Sequence, residues 1–387
     1  MNIKKLFAHK TESTALGEPP ARFDKVLLTY ILALTLIGSL MVASAGYAYA
    51  ASRYGDSGYF ARKQLFFVAL GLILMLGISR VPIAYIRRIA VPGYLVTVLL
   101  LLATLAFGLT GNGAQRWIAL GPFTFQPSEL AKLALVLTLS HYFAQYGEGM
   151  EGGRRHQLRY GILFPLAITG ALCLLVVLQR HLSGLIILAT IGLLMMFLAG
   201  SAIGMLGLIC GGGALGVGVL AFTLEYARER ITVWRDPAAY PLAGGWQTLQ
   251  GLMAIGSGGF FGLGLGKSRL KYSWVSEPAN DFIFTITCEE LGFLGAAFIM
   301  ILFFLFIRRG VLIGIGNRDV FSRMVALGIT GKVAIQVILN LAVITNTIPN
   351  TGISLPFFSY GGSSLLMLFA EMGILLSLSR TARLHYR

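Results

Sequence analysis

Apolar residues occur along this chain in successive runs of membrane-spanning length, separated by polar segments. A helix needs about 20 predominantly apolar residues to cross a hydrocarbon core of about 30 Å. Ten such segments are predicted, at residues 26–48, 64–79, 89–109, 127–146, 161–178, 182–200, 202–222, 281–307, 323–346 and 361–378. We therefore expect an all-α, polytopic membrane protein, with one ten-helix domain at residues 26–380 and polar tails at 1–25 and 381–387.

Lysine and arginine residues cluster in alternate connecting segments. The clusters at 80–88, 154–159 and 308–323 fall on one side of the membrane if the N-terminus lies inside. Positive charge favours the cytoplasmic side, so both termini are predicted to be cytoplasmic. The single long connection, residues 223–280 between spans seven and eight, is then extracellular.

This long loop is rich in aromatic and apolar residues. Disordered linkers are poor in such residues, so we expect an ordered loop containing short amphipathic helices at the outer interface. Its aromatic residues include Trp234, Trp246, Phe260, Phe261, Tyr272 and Trp274. The unusual motifs lie in the outer loops, so the functional side is predicted to face outward.

Composition agrees with a membrane class. The 387 residues are 56% hydrophobic and 12% charged, with a net charge of +15 and a mean hydropathy of +0.76. The positive charge follows the orientation bias, so we expect no nucleic-acid partner. The three cysteines and five histidines are scattered without metal-ligand spacing, so no protein metal site is predicted.

Ionisable residues inside the spans require an explanation, because a charge in the bilayer is costly. Asp281 begins span eight, where its carboxylate either caps the helix or acts as a functional acid. Glu129 and Lys132 share a helix face and form either a structural ion pair or part of a polar cavity. Lys332 lies in span nine; Glu289 and Glu290 are predicted partners for cations such as Lys332.

The outer face combines carboxylates with cations and tryptophans. Cations suited to neutralising a diphosphate are Arg116, Lys132, Arg230, Arg235, Lys267, Arg269 and Lys271. This combination fits a lipid-linked diphosphate, with Asp281 accepting a proton from an attacking hydroxyl. On residues alone, a transporter and a lipid-modifying enzyme both remain open.

Four long motifs resemble the SEDS family of bacterial cell-wall proteins (shape, elongation, division and sporulation). They are GNGAQRWIALGPFTFQPSELAKLAL from residue 111, RITVWRDPAAYPLAGGWQTLQGLMAIGSGGFFGLGLG from 230, EPANDFIFTITCEELG from 277 and IPNTGISLPFFSYGGSSLL from 348. Their order and spacing place the resemblance over essentially the whole membrane domain. The GISLPF sequence and the LSR ending are more similar to the division and sporulation branch than to the rod-elongation branch.

The resemblance implies a peptidoglycan glycosyltransferase that polymerises lipid II, a disaccharide-pentapeptide on undecaprenyl diphosphate, into β-1,4 glycan strands. It implies a class B penicillin-binding protein and other division proteins as partners in the bacterial cytoplasmic membrane. The family's essential loop aspartate corresponds to Asp281, and its tryptophan, acid and lysine correspond to Trp117, Glu129 and Lys132. Arg116, Arg230, Lys267 and Lys332 complete the predicted substrate-binding set.

The sequence leaves alternatives to this interpretation. A divalent cation, Mg²⁺ or Mn²⁺, stays open as a cofactor for the diphosphate. The sequence LQRHLSG places Arg180 and His181 where many relatives carry an acidic residue. Rival functions are a lipid II flippase, a rod-elongation paralogue with the same chemistry, and a structural scaffold of the division machinery.

Overall fold

The computed structural model describes residues 23–111, 114–121, 123–223, 225–240, 245–272 and 278–383. The predicted tails at 1–25 and 381–387 lie largely outside these residues, as does Trp274. Within them the chain is mostly helical, and a helix lies at each of the ten predicted segments.

Twelve main helices follow one another along the described chain. In order they are α1 Lys25–Tyr54, α2 Tyr59–Ile78, α3 Ile83–Phe107, α4 Pro127–Tyr146, α5 Arg154–Leu178, α6 Leu182–Leu198, α7 Ile203–Thr223, α8 Glu225–Arg235, α9 Gly245–Ser257, α10 Ile283–Gly316, α11 Val320–Ile344 and α12 Gly362–Ser379. By length and composition α1, α2, α3, α5, α10, α11 and α12 can cross a membrane. The class predicted from hydropathy, a multi-pass helical membrane protein, is thereby supported.

Several helices extend beyond the predicted apolar runs. The N-terminus of α1 is capped by Asp24, whose carboxylate accepts a hydrogen bond from the Leu27 N–H at 2.7 Å. Its C-terminus is at Tyr54, before Gly55 with φ +66°. Polar residues can continue a helix into the interfacial layer, so an apolar run does not fix the helix ends.

Helices α4, α11 and α12 lie at the centre of the bundle. Helix α2 packs on α12, α3 on α4, and α10 on both α11 and α1. Close approach of α1 to the chain before α12 depends on Gly38, where a Cβ would lie 2.2 Å from the Phe357 carbonyl oxygen. The buried polar and charged side chains of this central group provide the candidate site.

A small sheet follows α3, which the all-α prediction did not include. Strands β1 (Leu109–Gly111), β2 (Ala114–Leu120) and β3 (Phe123–Phe125) are antiparallel, in the order β1-β2-β3. Phe123 stacks on Phe66 of α2, with ring centroids 5.8 Å apart. The sheet holds Arg116 and Trp117 at one end of the helix bundle.

Helix α10 is broken at Gly292, whose φ of +66° and ψ of −171° are not helical. The glycine-rich segment after α9 packs against this break. The N–H groups of Phe293 and Leu294 donate to the carbonyls of Gly259 and Phe260, and the N–H of Leu263 donates to the Glu289 carbonyl. The segment thus satisfies backbone groups that the broken helix leaves open, a requirement for non-helical backbone at membrane depth.

Candidate functional site

Asp281 lies immediately before α10, in contact with α11 and with the segment before α12. The Asn340 amide donates to the Asp281 carbonyl at 2.8 Å and to the Ile353 carbonyl at 2.7 Å. Gly352 has φ +68°, and a Cβ there would lie 3.5 Å from the Asp281 carboxylate oxygen Oδ2. The carboxylate therefore lies beside a turn whose left-handed backbone favours glycine.

The backbone around Asp281 is fixed by the segment that precedes α12. The Ser359 hydroxyl donates to the Asn280 carbonyl at 2.8 Å and accepts from the Leu355 N–H at 2.7 Å. The Tyr360 N–H donates to the Ala279 carbonyl at 2.8 Å. Backbone hydrogen bonds on both sides of the segment give Asp281 a defined position before any ligand binds.

Helix α8 is joined to the same group of loops. Arg230 donates to the Asn350 carbonyl at 2.5 Å. Trp234 donates its indole N–H to the Asn346 carbonyl at 2.9 Å, and the Asn346 amide donates back to the Trp234 carbonyl at 3.2 Å. The predicted cation Arg230 thus contacts the residue two positions before Gly352, the glycine that lies beside the Asp281 carboxylate.

Two buried ion pairs lie within the bundle. Lys132 Nζ is 2.7 Å from the Glu129 carboxylate on α4, so the predicted pairing on one helix face is confirmed. Lys332 Nζ on α11 is 2.8 Å from Glu371 Oε2 on α12. The predicted pairing of Lys332 with Glu289 or Glu290 is wrong, because α12 rather than α10 presents its carboxylate to Lys332.

A small cavity connects the ion pairs to the Asp281 loop. Glu129, Lys332 and Gln336 line it from below, and the segment from Ser354 to Phe357 lines it from the loop side, together with Ser359 and Ser364. It has room for about one water molecule. The buried charges therefore lie directly behind the segment that flanks Asp281.

Arg116 and His181 extend the site toward the small sheet. Arg116 donates to the Arg180 carbonyl at 2.7 Å, and Arg180 has φ +54°. Burial lowers the pKa of His181 to about 3; the positive charges of Arg116 and Lys132 act in the same direction, while Glu129 opposes them. His181 therefore remains neutral at physiological pH, close enough to Glu129 and Lys132 to experience their charge.

Two further residues of the predicted substrate-binding set lie on the small sheet and on the glycine-rich segment. Trp117 is half-buried in β2, where it pairs with Leu109. Lys267 is exposed on the glycine-rich segment, beside the backbone that contacts Glu290. Glu290 lies nine residues after Asp281, or about 14 Å along a helix, so the structure does not bring Lys267 to the Asp281 carboxylate.

Glu290 and Glu289 belong to a separate buried cluster at the α10 break. Glu290 accepts hydrogen bonds from Ser44 at 2.7 Å and from Lys271 at 3.0 Å. The N–H groups of Gly266 and Arg269 donate to Glu290 and Glu289, each at 2.9 Å. These contacts attach the glycine-rich segment to both α10 and α1.

The sequence interpretation missed Asn340, Gln336, the pairing of Glu371 with Lys332 and the position of His181. Lys332, Gln336 and Asn340 recur every four residues on α11, which places them on one helix face. This polar stripe in an apolar span was a usable sequence signal. The contact of His181 with the site had no such signal, because it depends on how α6 begins beside α4.

Within the described residues, no group of three or more His, Cys, Asp or Glu side chains is placed to hold a metal ion. Mg²⁺ commonly takes one or two protein carboxylates and completes its shell with water and substrate phosphates. Asp281 could supply one such ligand, and a diphosphate and water would have to supply the others.

These features define a class: a multi-pass helical membrane protein with a fixed carboxylate at one end of the bundle, above paired buried charges and near arginines. Comparison with known proteins gives the family. The sequence model described as "Cell cycle protein", which covers FtsW, RodA and SpoVE, matches residues 24–384. The chain belongs to this family, which confirms the SEDS resemblance.

Relatives and solved structures match over nearly the whole chain. Stage V sporulation protein E of Bacillus subtilis is 38% identical over 93% of this chain and 98% of its own length. The probable peptidoglycan glycosyltransferase FtsW of Trichlorobacter lovleyi is 36% identical over 94% and 95%. A chain of a solved peptidoglycan synthase complex superimposes with a TM-score of 0.77 at 28% identity, over 92% of this chain and 98% of its own. Rod shape determining protein RodA of Thermus thermophilus gives 0.69 at 27% identity, over 93% and 98%.

Proposed function

We propose that this chain is a peptidoglycan glycosyltransferase that polymerises lipid II into β-1,4 glycan strands. The observation that carries the proposal is the position of Asp281. Its backbone is held by Asn340 and its carboxylate lies beside Gly352. Family membership and relatives named peptidoglycan glycosyltransferase supply the reaction class.

The reaction needs a base and a means of stabilising the leaving diphosphate. Asp281 removes the proton from the 4-hydroxyl of the acceptor GlcNAc as that oxygen attacks C1 of the donor MurNAc. The new C1–O4 bond forms as the bond from C1 to the phosphate oxygen breaks. Undecaprenyl diphosphate departs with the bonding electrons, the anomeric carbon is inverted, and Asp281 keeps the proton until solvent removes it.

Positive charge near the leaving group lowers the barrier. Arg116 and Arg230 supply it from the β-sheet and α8. Lys132 and Lys332 are already paired with carboxylates, so their role is to hold the polar cavity rather than to add net charge. A Mg²⁺ or Mn²⁺ ion bound with the substrate would add charge neutralisation at the diphosphate. Lys267 contacts the lipid headgroup region in this proposal, away from the reacting atoms.

The proposed topology has ten spans with both termini in the cytoplasm and the 223–280 segment outside. The Asp24 N–H donates to the Ser379 hydroxyl at 2.9 Å, so the start of α1 and the end of α12 lie together. Asp281 lies at the opposite end, beside Tyr360 and the start of α12. An even span count and the positive-inside rule then put Asp281 on the outer face of the cytoplasmic membrane.

A class B penicillin-binding protein is the proposed transpeptidase partner, because a solved relative is a chain of a peptidoglycan synthase complex. Other division proteins would complete the assembly. The FtsW and sporulation relatives support septal synthesis in cell division as the biological role; a rod-elongation role would use the same chemistry.

The catalytic assignment is tested with purified full-length protein, its transpeptidase partner and lipid II. Asp281→Asn keeps the side-chain size and removes the base, so polymerisation should fall by about 100-fold or more. Asp236→Asn, at an exposed residue directly after α8, is the matched control and should polymerise at the unmodified rate. Normal rate and chain length in Asp281→Asn would refute the assignment.

A lipid II flippase is the second candidate, because buried ion pairs in several helices are also typical of a translocation path. Lipid II transport in proteoliposomes separates the two functions. If the protein is an enzyme, Asp281→Asn loses polymerisation, and neither the unmodified protein nor the variant transports lipid II. A flippase moves lipid II in the unmodified form.

A further inference from the structure

The N-terminal part of α5 carries a basic surface that the reaction does not use. Arg154, Arg155 and Arg159 are all exposed there. This surface lies at the end of the bundle opposite to Asp281, because α4 runs from the His181 contact to Tyr146 and α5 follows. Catalysis therefore does not account for it.

Three other arginines at this end of the bundle have partners within the protein. Arg309 donates to Asp24 at 2.9 Å, Arg87 lies 3.8 Å from Asp319, and Arg323 donates to the Asn317 carbonyl at 3.2 Å. In the part of the chain that the structure describes, Arg154, Arg155 and Arg159 form no ion pair or side-chain hydrogen bond. Their guanidinium groups are left to bind something outside the protein.

The helix itself is distorted in the segment that contains Arg159 and follows Arg154 and Arg155. Residues Gln157–Leu163 form a π-helix, and the Phe164 N–H donates to the Arg159 carbonyl five residues back. Such wide turns are rare and often occur at functional sites. The Arg159 guanidinium lies over the rings of Tyr160 and Phe164, at 5.5 and 5.6 Å from their centroids, which fixes its direction.

An apolar groove continues from the arginines toward the membrane core. It is lined by Arg155, Leu158, Arg159, Leu163, Phe164 and Ala167, all of them exposed. One end therefore offers paired guanidinium groups and the other offers aliphatic and aromatic carbon. Guanidinium groups bind phosphate through two parallel hydrogen bonds, and the apolar end suits an acyl chain.

We propose that this groove binds an anionic glycerophospholipid of the adjacent leaflet, with its phosphate on Arg155 and Arg159 and one acyl chain along Leu163 and Phe164. Charge complementarity selects this occupant, since basic pockets at membrane interfaces bind anionic headgroups. A zwitterionic lipid carries the same phosphate, but its cationic headgroup amine would add positive charge beside the two arginines. The bound lipid would tie α5 to the leaflet opposite the catalytic face.

The test uses the delipidated full-length protein in detergent, with phosphatidylglycerol as the probe and native mass spectrometry as the readout. The unmodified chain should retain phosphatidylglycerol in preference to phosphatidylcholine. Arg155→Gln/Arg159→Gln should bind it about 25-fold more weakly, because each interfacial arginine contributes roughly a fivefold factor. Arg80→Gln/Arg88→Gln removes the same charge from the α2–α3 connection and the second turn of α3, and should keep the unmodified affinity.

Equal loss in the two double variants would overturn the proposal, because the attraction would then be a general charge effect. Unmodified affinity in Arg155→Gln/Arg159→Gln would also overturn it. Competition by inorganic phosphate at equal concentration would show a phosphate site without acyl recognition and reject the lipid. If the double variant does not fold, each single substitution is measured instead, with a roughly fivefold loss of affinity expected. Ala167→Phe fills the groove without changing charge and should also weaken phosphatidylglycerol binding.

Discussion

Lys332 and Glu371 form an ion pair between α11 and α12, with Nζ 2.8 Å from Oε2 and both side chains buried. A second contact, 3.0 Å to Oε1, makes the carboxylate accept through both oxygens. Helix α12 begins beside the Asp281 loop, so this pair connects the loop to the centre of the bundle.

Replacing one member of this ion pair should destabilise the protein more than replacing both. Lys332→Met leaves the Glu371 carboxylate buried without its partner, at a cost of about 3–5 kcal/mol. Lys332→Met/Glu371→Met should recover most of that loss, measured as the thermal unfolding midpoint in detergent. Lys63→Met, on a half-exposed lysine of α2, is the control for the substitution itself. A double variant as unstable as the single one would show that the cost does not come from leaving the Glu371 carboxylate without its partner.

The amide of Asn340 should be needed for the position of Asp281. Asn340→Asp keeps the shape but replaces the donor to the Asp281 and Ile353 carbonyls with an acceptor, leaving two buried carbonyls without a donor. We expect polymerisation to fall by about tenfold or more, with a loss of stability of about 1–3 kcal/mol. Thr345→Ala, at the exposed end of the same helix, should change neither quantity. Full activity in Asn340→Asp would show that the carboxylate is positioned by other contacts.

The break in α10 should tolerate no side chain at Gly292. Its φ is +66°, and a Cβ would lie 2.2 Å from the Gly262 nitrogen, so Gly292→Ala combines backbone strain with a clash against backbone. We expect little folded protein, measured by size-exclusion recovery and thermal unfolding. Gly77→Ala is the matched control, because a Cβ there meets nothing within 4 Å. Equal recovery of both variants would mean that the break can move along the helix.

The sequence predicted where the helices are because apolar run length is a local property. It did not predict the break at Gly292, since a glycine in an apolar run has the same appearance whether the helix continues or stops. The break depends on Gly259 and Phe260, which lie about 30 residues earlier and approach only after folding. The small sheet was missed for a similar reason, because its strands are only three to seven residues long.

The ion pair within one helix could be predicted from the sequence, whereas the ion pair between two helices could not. Glu129 and Lys132 are three residues apart on one helix, so their contact follows from helical geometry. Lys332 was predicted to pair with Glu289 or Glu290 on α10, and only the packing of α11 on α12 selects Glu371. The catalytic role of Asp281 came from the family resemblance and stays a prediction, whereas its fixed backbone and its neighbour Gly352 are structural findings.

The buried imidazole of His181 should make stability depend on pH. Its pKa in the folded protein is about 3, well below the ordinary value of about 6.5. Below pH 6.5 the unfolded chain takes up a proton at this residue and the folded chain does not. The stability that His181 contributes is therefore present above pH 6.5 and is lost as the pH falls toward 3, by up to about 1.4 kcal/mol for each pH unit.

His181→Asn should remove this pH-dependent component of the stability, so its unfolding midpoint should fall less between pH 7 and pH 5 than that of the unmodified protein. Parallel pH profiles for the two proteins would show that His181 takes up its proton equally in the folded state.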